Sequence, residues 1–297
     1  MKNSIKAIFA MLAILPCALF FTACGGEKIT TEAADTAFAA AVTETGKVST
    51  DFKIELKANY KISKGVMGAA KDQEGEVTGT VKKAVTTSEK DGKTTVDDVK
   101  MSVSLKAADE ISMVIGKNGE KYLVMDTVNK TYVQVPEGFD TVLAGDISGI
   151  LSGFIEMIMA GSDVSIPDGM LDVDFSEMSL ESETMKLDAT KTGENDFNLN
   201  MKGYILMPNM AKISGEIKIE IRDGLFSKLS VNLDMFAMKV TTDATPSTED
   251  IANADKYTEK MFHIDGSINM SFGEQKIELP SLNDYTEETT TPTAIAA

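Results

Sequence analysis

The sequence predicts a mainly β protein with two helices, in which one long antiparallel sheet curves strongly into a half-barrel and packs the helices on its concave, apolar face. Three observations support this fold class. Many segments alternate between apolar and polar residues, hairpin dipeptides separate several of them, and two stretches have the period of a helix instead. The chain has 297 residues, 43% of them hydrophobic, and is therefore long enough to bury a large core.

The chain begins with the pattern of a secretion signal. Lys2 and Lys6 precede an uncharged apolar stretch, residues 7–21, which is too short for a membrane span, and small residues then lead to Cys24. This order resembles the lipobox of bacterial lipoproteins, in which the cysteine is acylated and becomes the first mature residue. The resemblance implies a signal peptide at 1–23 and lipidation of Cys24. An ordinary signal peptide with an incidental cysteine is the alternative.

The lipid anchor sets the expected location. Cys17 is lost with the signal and Cys24 is acylated, so no thiol remains for a disulfide, a nucleophile or a metal site. Residues 24–30 form a tether that reaches only about 14 Å if it is flexible. We therefore expect an extracytoplasmic domain, residues 31–282, anchored close to the cell membrane, or to an outer membrane if the cell has one.

The first predicted helix begins at Thr30 or Thr31, either of which can cap its first turn. Glu32 and Asp35 suit the positive end of the helix, and Gly46 ends it. Its apolar stripe consists of Ala34, Ala37, Phe38, Ala41 and Val42.

About nine or ten strands follow, each with one apolar and one polar face. The alternation is clearest from Phe52 to Ile62, and it recurs at 99–105, 197–201, 213–221, 229–235 and 262–272. Asp91-Gly92, Asn118-Gly119 and Asp223-Gly224 are typical hairpin turns. Residues 241–256 are predicted to be a loop, and residues 283–297 a disordered tail.

The hairpin from Ile213 to Met235 permits a finer prediction. Its apolar residues are odd-numbered on both arms, so paired residues on the apolar face have an even sum. A three-residue loop at 223–225 satisfies this condition and places Ile219 opposite Leu229.

The second predicted helix spans 141–160 and is too apolar to lie on a wet surface. We expect it to pack on the apolar face of the sheet. Three glycines, Gly145, Gly149 and Gly153, recur every fourth residue and line one side of it. They suggest two alternatives: tight packing on the sheet, or a cover that opens because each glycine lowers helix stability by about 1 kcal/mol.

The two helices cover only part of the apolar face. Nine strands present about 1,500 Å² on one face, of which two helices cover roughly 500 Å². A sandwich, a closed barrel or a ligand in an open half-barrel each covers the remainder, but the half-barrel also leaves room for the helix at 141–160. The candidate cavity lining is Phe52, Ile54, Leu56, Tyr60, Leu143, Ile147, Leu151, Phe154 and Ile158.

The order of elements resembles the LolA, LppX and LprG group of bacterial carrier proteins. The local similarities are Lys-Asn-Gly-Glu-Lys-Tyr at 117–122, Lys-Thr-Tyr-Val at 130–133, the helix at 141–160, and Ile-Glu-Leu-Pro at 277–280 as a closing strand. They span most of the mature chain. In that group the concave apolar face binds acyl chains or lipidated proteins, which implies a lipid or lipopeptide ligand here.

Several classes of function are disfavoured by composition. A formal charge of -17 argues against nucleic-acid binding, and the one arginine, Arg222, leaves little for phosphate clamps. The one histidine, His263, lies on the polar phase of its strand, so a hydrolytic triad lacks its base. The acidic run at 168–177 lacks the glycine and glutamate of a calcium loop. We expect no enzymatic activity, no cofactor and no metal site.

Two functional hypotheses remain. The first is a membrane-anchored lipoprotein that binds a lipid or acyl chain in the half-barrel. The second is a structural or protein-binding module at the cell surface whose own side chains fill the core.

Overall fold

The computed structural model describes residues 26–64, 71–90, 92–107, 110–135, 143, 145–148, 180, 182, 184–206, 211–238 and 258–288. Cys24 and most of the helix predicted at 141–160 lie outside these residues, as do the acidic run at 168–177 and the loop at 241–256.

The described residues form one open sheet of thirteen strands. The strands are β1 (Glu27–Lys28), β2 (Phe52–Ile62), β3 (Gln73–Lys90), β4 (Lys93–Lys106), β5 (Glu110–Asn118), β6 (Lys121–Asp126), β7 (Thr131–Gln134), β8 (Met185–Lys191), β9 (Phe197–Leu206), β10 (Ala211–Arg222), β11 (Leu225–Met238), β12 (Thr258–Phe272) and β13 (Thr286–Glu287). Their order across the sheet is β1-β8-β9-β10-β11-β12-β2-β3-β4-β5-β6-β7-β13. All neighbours are antiparallel except β7 and β13. With normal strand twist and three bulges, this gives the mainly β half-barrel predicted from the sequence.

All three predicted hairpin turns are confirmed. They join β3 to β4, β5 to β6 and β10 to β11. Gly92, Gly119 and Gly224 each adopt a positive φ there, of 71°, 64° and 77°, which a glycine accepts without a steric penalty. The three turn dipeptides therefore correctly predicted where the chain reverses direction.

The hairpin of β10 and β11 confirms the predicted pairing and corrects the predicted loop. Ile219 does lie opposite Leu229, but the turn has two residues, with Arg222 opposite Leu225. The register then shifts, because Ile221 pairs with Phe226 while Glu220 pairs with Lys228. A bulge at Ser227, whose hydroxyl donates to the Glu220 carbonyl at 3.2 Å, supplies the extra residue that we expected in the loop.

The alternation of faces along β2 is as predicted. Phe52, Ala58 and Ile62 are buried, whereas Glu55, Lys57, Asn59 and Lys61 are exposed. Exposed pairs such as Lys57–Glu76 (3.0 Å) and Lys61–Glu74 (2.9 Å) link β2 to β3 on the polar face. One face of the sheet is thus apolar, and it must be covered.

Helix α1 (Thr31–Gly46) covers one part of this apolar face. Thr30 caps it, since its hydroxyl accepts the Ala33 amide, and Gly46 is its last residue. Phe38 is fully buried and meets the ring of Phe226 on β11 edge to face, with ring centroids 5.7 Å apart. α1 therefore docks through the stripe predicted for it.

Both ends of the domain are more ordered than predicted. Glu27 and Lys28, which we assigned to a free tether, pair with β8, and Lys28 forms an ion pair with Asp188 at 3.2 Å. At the other end, Leu282–Asp284 form a 3₁₀ turn and Thr286–Glu287 form β13, so the start of the predicted disordered tail, residues 283–288, is structured. Residues 289–297 lie outside the described chain.

The closing strand predicted at 277–280 is wrong. Residues 274–280 have no strand pairing and instead form part of a strap, residues 273–288, that crosses the polar side of the sheet. Leu279 packs directly on Gly116 of β5. A Cβ atom added at Gly116 would lie only 2.7 Å from Leu279 Cδ2, so the close approach requires a glycine. Pro280 has no amide hydrogen for a strand ladder, so this part of the strap is held by side-chain packing, whereas the end of the strap pairs with β7.

The bulge at Ser227 leads to a test with a matched control. Deleting Ser227 leaves a regular two-residue hairpin in which Ile219 still faces Leu229, so we expect a change in unfolding free energy of no more than about 1 kcal/mol. Deleting Ser230, the same residue type three positions later, moves Leu233 and Met235 to the polar face and costs several kcal/mol. Urea denaturation of both variants checks this. Equal losses in the two would show that the bulge does not set the register.

Candidate functional site

The apolar face carries two clusters of buried side chains among the described residues. The first lies under α1 and includes Phe38, Leu199, Met201 and Ile217. The second centres on Phe52, Val99, Met101 and Ile115, together with Leu143 and Ile147 from the chain segment that follows β7. Two different covers therefore meet the same face of the sheet.

The predicted lining residues of β2 are divided between these clusters. Phe52 and Ile54 belong to the second cluster, whereas Leu56 and Tyr60 pack against the first. All four residues lie on one face of β2, as predicted. The first two lie in the cluster near Leu143 and Ile147, and the last two lie in the cluster under α1.

The described residues of the second predicted helix confirm its packing but not its continuity. Leu143, Ile147 and Ser148 are helical, whereas Gly145 forms a bend and Asp146 has no regular secondary structure, so the prediction of an unbroken helix through Gly145 is wrong. Leu143 and Ile147 are each only 3% exposed and pack in the second cluster, so this part of the predicted helix does lie on the apolar face. The Ile147 amide donates to the Val48 carbonyl at 3.0 Å, which fixes the segment beside the start of β2. The remaining predicted residues, Leu151, Phe154, Ile158, Gly149 and Gly153, lie outside the described residues, and their roles stay predictions.

Half-buried apolar side chains lie between and beside the two clusters. Ile54, Leu56, Val81, Val103 and Leu105 belong to three neighbouring strands, share the apolar face and keep part of their surface accessible. At the rim, Ile111 lies opposite Leu105 and is 38% exposed. The apolar face thus continues beyond the two buried clusters.

A buried lysine on this face was missed by our sequence analysis. Lys83 pairs with Phe52 on one side and with Met101 on the other, so its side chain lies on the apolar face, where it is 0% exposed. Its ammonium donates to the Gly145 carbonyl at 2.6 Å. The signal was present in the sequence, since Val81, Lys83 and Val85 stand at alternate positions and the lysine interrupts an apolar series.

Burial governs the charge of Lys83. Removal of the ammonium from water lowers the pKa of Lys83 from 10.5 to about 8, although the carboxylates of Asp146 and Asp51 act in the opposite direction. The Asp51 carboxylate is itself engaged by backbone amides, accepting from Val85 at 2.8 Å and from Gln275 at 3.0 Å. Lys83 is therefore largely protonated at neutral pH within an apolar cluster.

The polar face holds His263, which we considered as a catalytic base, and Arg222, which we considered as a phosphate clamp. His263 does lie on the polar phase of β12, where its Nδ1 contacts Asp234 Oδ1 at 2.7 Å, and Lys260 pairs with the same carboxylate at 2.8 Å. Arg222 donates to the Phe197 and Ile221 carbonyls and to Glu220, which ties together the end of one hairpin. These contacts link neighbouring strands across the polar face.

A small cavity of about 280 Å³ lies under the strap on the polar side of the sheet. Gly116, Leu123 and Met125 line it from the sheet, and Leu279 and Leu282 line it from the strap. Leu123 and Met125 are at most 5% exposed, so the strap protects a second apolar patch that one-sided strand alternation did not predict.

Within the described part of the chain, no group of three or more histidine, cysteine, aspartate or glutamate side chains is arranged to hold a metal ion.

No helix among those same residues is both long and apolar enough to cross a membrane.

Comparison with models of known protein families and with curated protein sequences finds no match for this chain.

The pKa of Lys83 predicts a specific pH dependence of stability. Between pH 8 and 10.5 the folded protein has lost the Lys83 proton while the unfolded chain still binds it, so the stability contributed by this group rises with pH. Relative to Lys83→Met, the wild type should gain about 3 kcal/mol of unfolding free energy over this range. Chemical denaturation of both proteins at the two pH values measures the difference. Parallel pH profiles would contradict this account of Lys83.

Proposed function

We propose that this protein is a membrane-anchored extracytoplasmic lipoprotein that binds a hydrophobic ligand, a lipid or an acyl chain, on the apolar face of its half-barrel without catalysing a reaction. The observation that carries the proposal is the half-buried row Ile54, Leu56, Val81, Val103 and Leu105. An apolar surface of this kind is the usual recognition surface for hydrocarbon chains.

The methionines on this face favour a ligand of variable shape. Met235 and Met270 are half-buried on β11 and β12, whereas Met101 and Met201 are fully enclosed. Methionine side chains are unbranched and adapt to irregular neighbours. A lining of this type accommodates acyl chains of different lengths.

The amino-terminal lipobox resemblance supports the anchor. A lipid on Cys24 would hold the domain at the membrane, since two acyl chains suffice for stable binding. Because Glu27 and Lys28 are already part of the sheet, the chain between the acylated cysteine and the folded domain would be shorter than the sequence suggested. A short connection favours exchange of a hydrophobic ligand with the adjacent bilayer.

Ligand binding can be tested with a pair of adjacent substitutions. Leu105→Glu places a charge on the apolar face, whereas Ser104→Glu places the same charge on the exposed face of the same strand. With the mature chain carrying Cys24→Ser, we expect binding of the neutral dye Nile red to fall at least tenfold in the first variant and to stay unchanged in the second. Fluorescence titration measures this, with circular dichroism as the check on folding.

Native mass spectrometry of the same mature chain, purified without detergent after contact with bacterial lipid extract, provides the second measurement. Bound masses of lipid support the proposal. A protein that carries no lipid and binds no Nile red would instead support the alternative, a surface module with a self-filled core.

The anchor has its own test. Cys24→Ser should abolish incorporation of a fatty-acid analogue and detergent-phase partitioning, because the sulfur that would carry the acyl group is removed. Cys17→Ser is the matched control and should change neither property, since this cysteine lies within the expected signal peptide. Unchanged labelling of the Cys24→Ser protein would contradict the lipoprotein assignment.

A further inference from the structure

The buried ammonium of Lys83 is unexplained by a purely hydrocarbon-binding face. Enclosing a charged amine in an apolar cluster costs free energy, and a methionine or leucine at this position could pack between Phe52 and Met101 without that cost. Both cross-strand neighbours are only 1% exposed. A structural role in the sheet therefore does not require a charge here.

The hydrogen bonding of this ammonium leaves capacity for a ligand. A lysine ammonium has three N–H donors, and among the described residues the Gly145 carbonyl is its one hydrogen-bond acceptor. Charged donors in apolar surroundings form strong bonds with anionic oxygens. The surroundings of Lys83 are apolar on the sheet side, because Phe52 and Met101 flank it there.

The charges facing Lys83 are also partly engaged. Asp51 lies before β2, and its carboxylate accepts two backbone amides, whereas Asp146 lies on the covering segment next to Gly145. Asp146 travels with that segment, so a displacement of the segment would remove both Asp146 and the Gly145 carbonyl from the ammonium. Lys83 would then present its charge to whatever occupies the apolar face.

We propose that Lys83 binds the anionic head group of the ligand, so that the preferred ligand is a single-chain amphiphile with a carboxylate or phosphate monoester head. The acyl chain lies along the apolar row from Val81 toward Leu105, and the head replaces the Gly145 carbonyl as an acceptor. This inference rests on the proposed function, since it names the ligand class of the same face.

Three amphiphiles of equal chain length test the head group. Dodecanoate, dodecyl phosphate and dodecanol are titrated at pH 7 against Nile red bound to the mature chain with Cys24→Ser. We expect the two anions to compete at least about tenfold more strongly than the alcohol, as one charge-assisted hydrogen bond implies. A difference between dodecanoate and dodecyl phosphate identifies which head the site prefers.

Two variants assign the preference to Lys83. Lys83→Met should remove the preference for the two anions over dodecanol. Lys82→Met removes the same charge from the neighbouring position on the opposite face and should keep the preference. If Lys83→Met does not fold, Lys83→Gln replaces it, because glutamine retains a donor for Gly145 without the positive charge.

The outcomes separate this inference from the proposed function. Equal competition by all three amphiphiles in the wild type, or an anion preference that survives in Lys83→Met or Lys83→Gln, overturns the role of Lys83 while ligand binding stands. If neither Nile red nor any amphiphile binds, the proposed function itself fails. The wild-type comparison alone decides the head-group preference, whatever the variants do.

Discussion

The need to cover one apolar face of an open sheet is the constraint on which the rest of this structure depends. Strands with a period of two place nearly all their large apolar side chains on the same side, and an open sheet has no second sheet of its own to bury them. Helix α1 meets this need over one region through Phe38, and the segment containing Leu143 and Ile147 meets it over another. The half-buried row between and beside them keeps part of its apolar surface accessible, and this is the surface on which we propose that a ligand binds.

The same constraint explains why the pairing register of neighbouring strands must be maintained. A slip of one residue in any hairpin would reverse the faces of a whole strand. The bulge at Ser227 absorbs the extra residue of its hairpin, so that Ile219 and Leu229 stay on the side that α1 covers. Similar register shifts occur between the paired strands β3 and β4 and between β11 and β12, and bulges of this kind increase the local bend and twist of a strand.

Part of the polar side of the sheet is covered by the strap and is not exposed to solvent. The strap after β12 covers Leu123 and Met125, and its end pairs in parallel with β7. Asp51 joins this strap to β3, since one oxygen of its carboxylate accepts the Val85 amide and the other accepts the Gln275 amide. The corner around Asp51 therefore links the strap, the long hairpin and the surroundings of Lys83.

The sequence by itself determined the mainly β fold, the two faces of each long strand, the capping of α1 at Thr30 and the positions of the hairpin turns. These features depend on local chemistry and on side-chain period, which a single chain displays directly. Only the tertiary structure decided between a three-residue loop and the Ser227 bulge, because both satisfy the same parity of apolar residues. The route of the strap over Gly116 depended equally on packing between distant residues. The alternation of Val81, Lys83 and Val85 places Lys83 on the apolar phase of its strand, but a lysine in a strand ordinarily points to water. Only its partners Phe52 and Met101 showed that its side chain is enclosed in the apolar face.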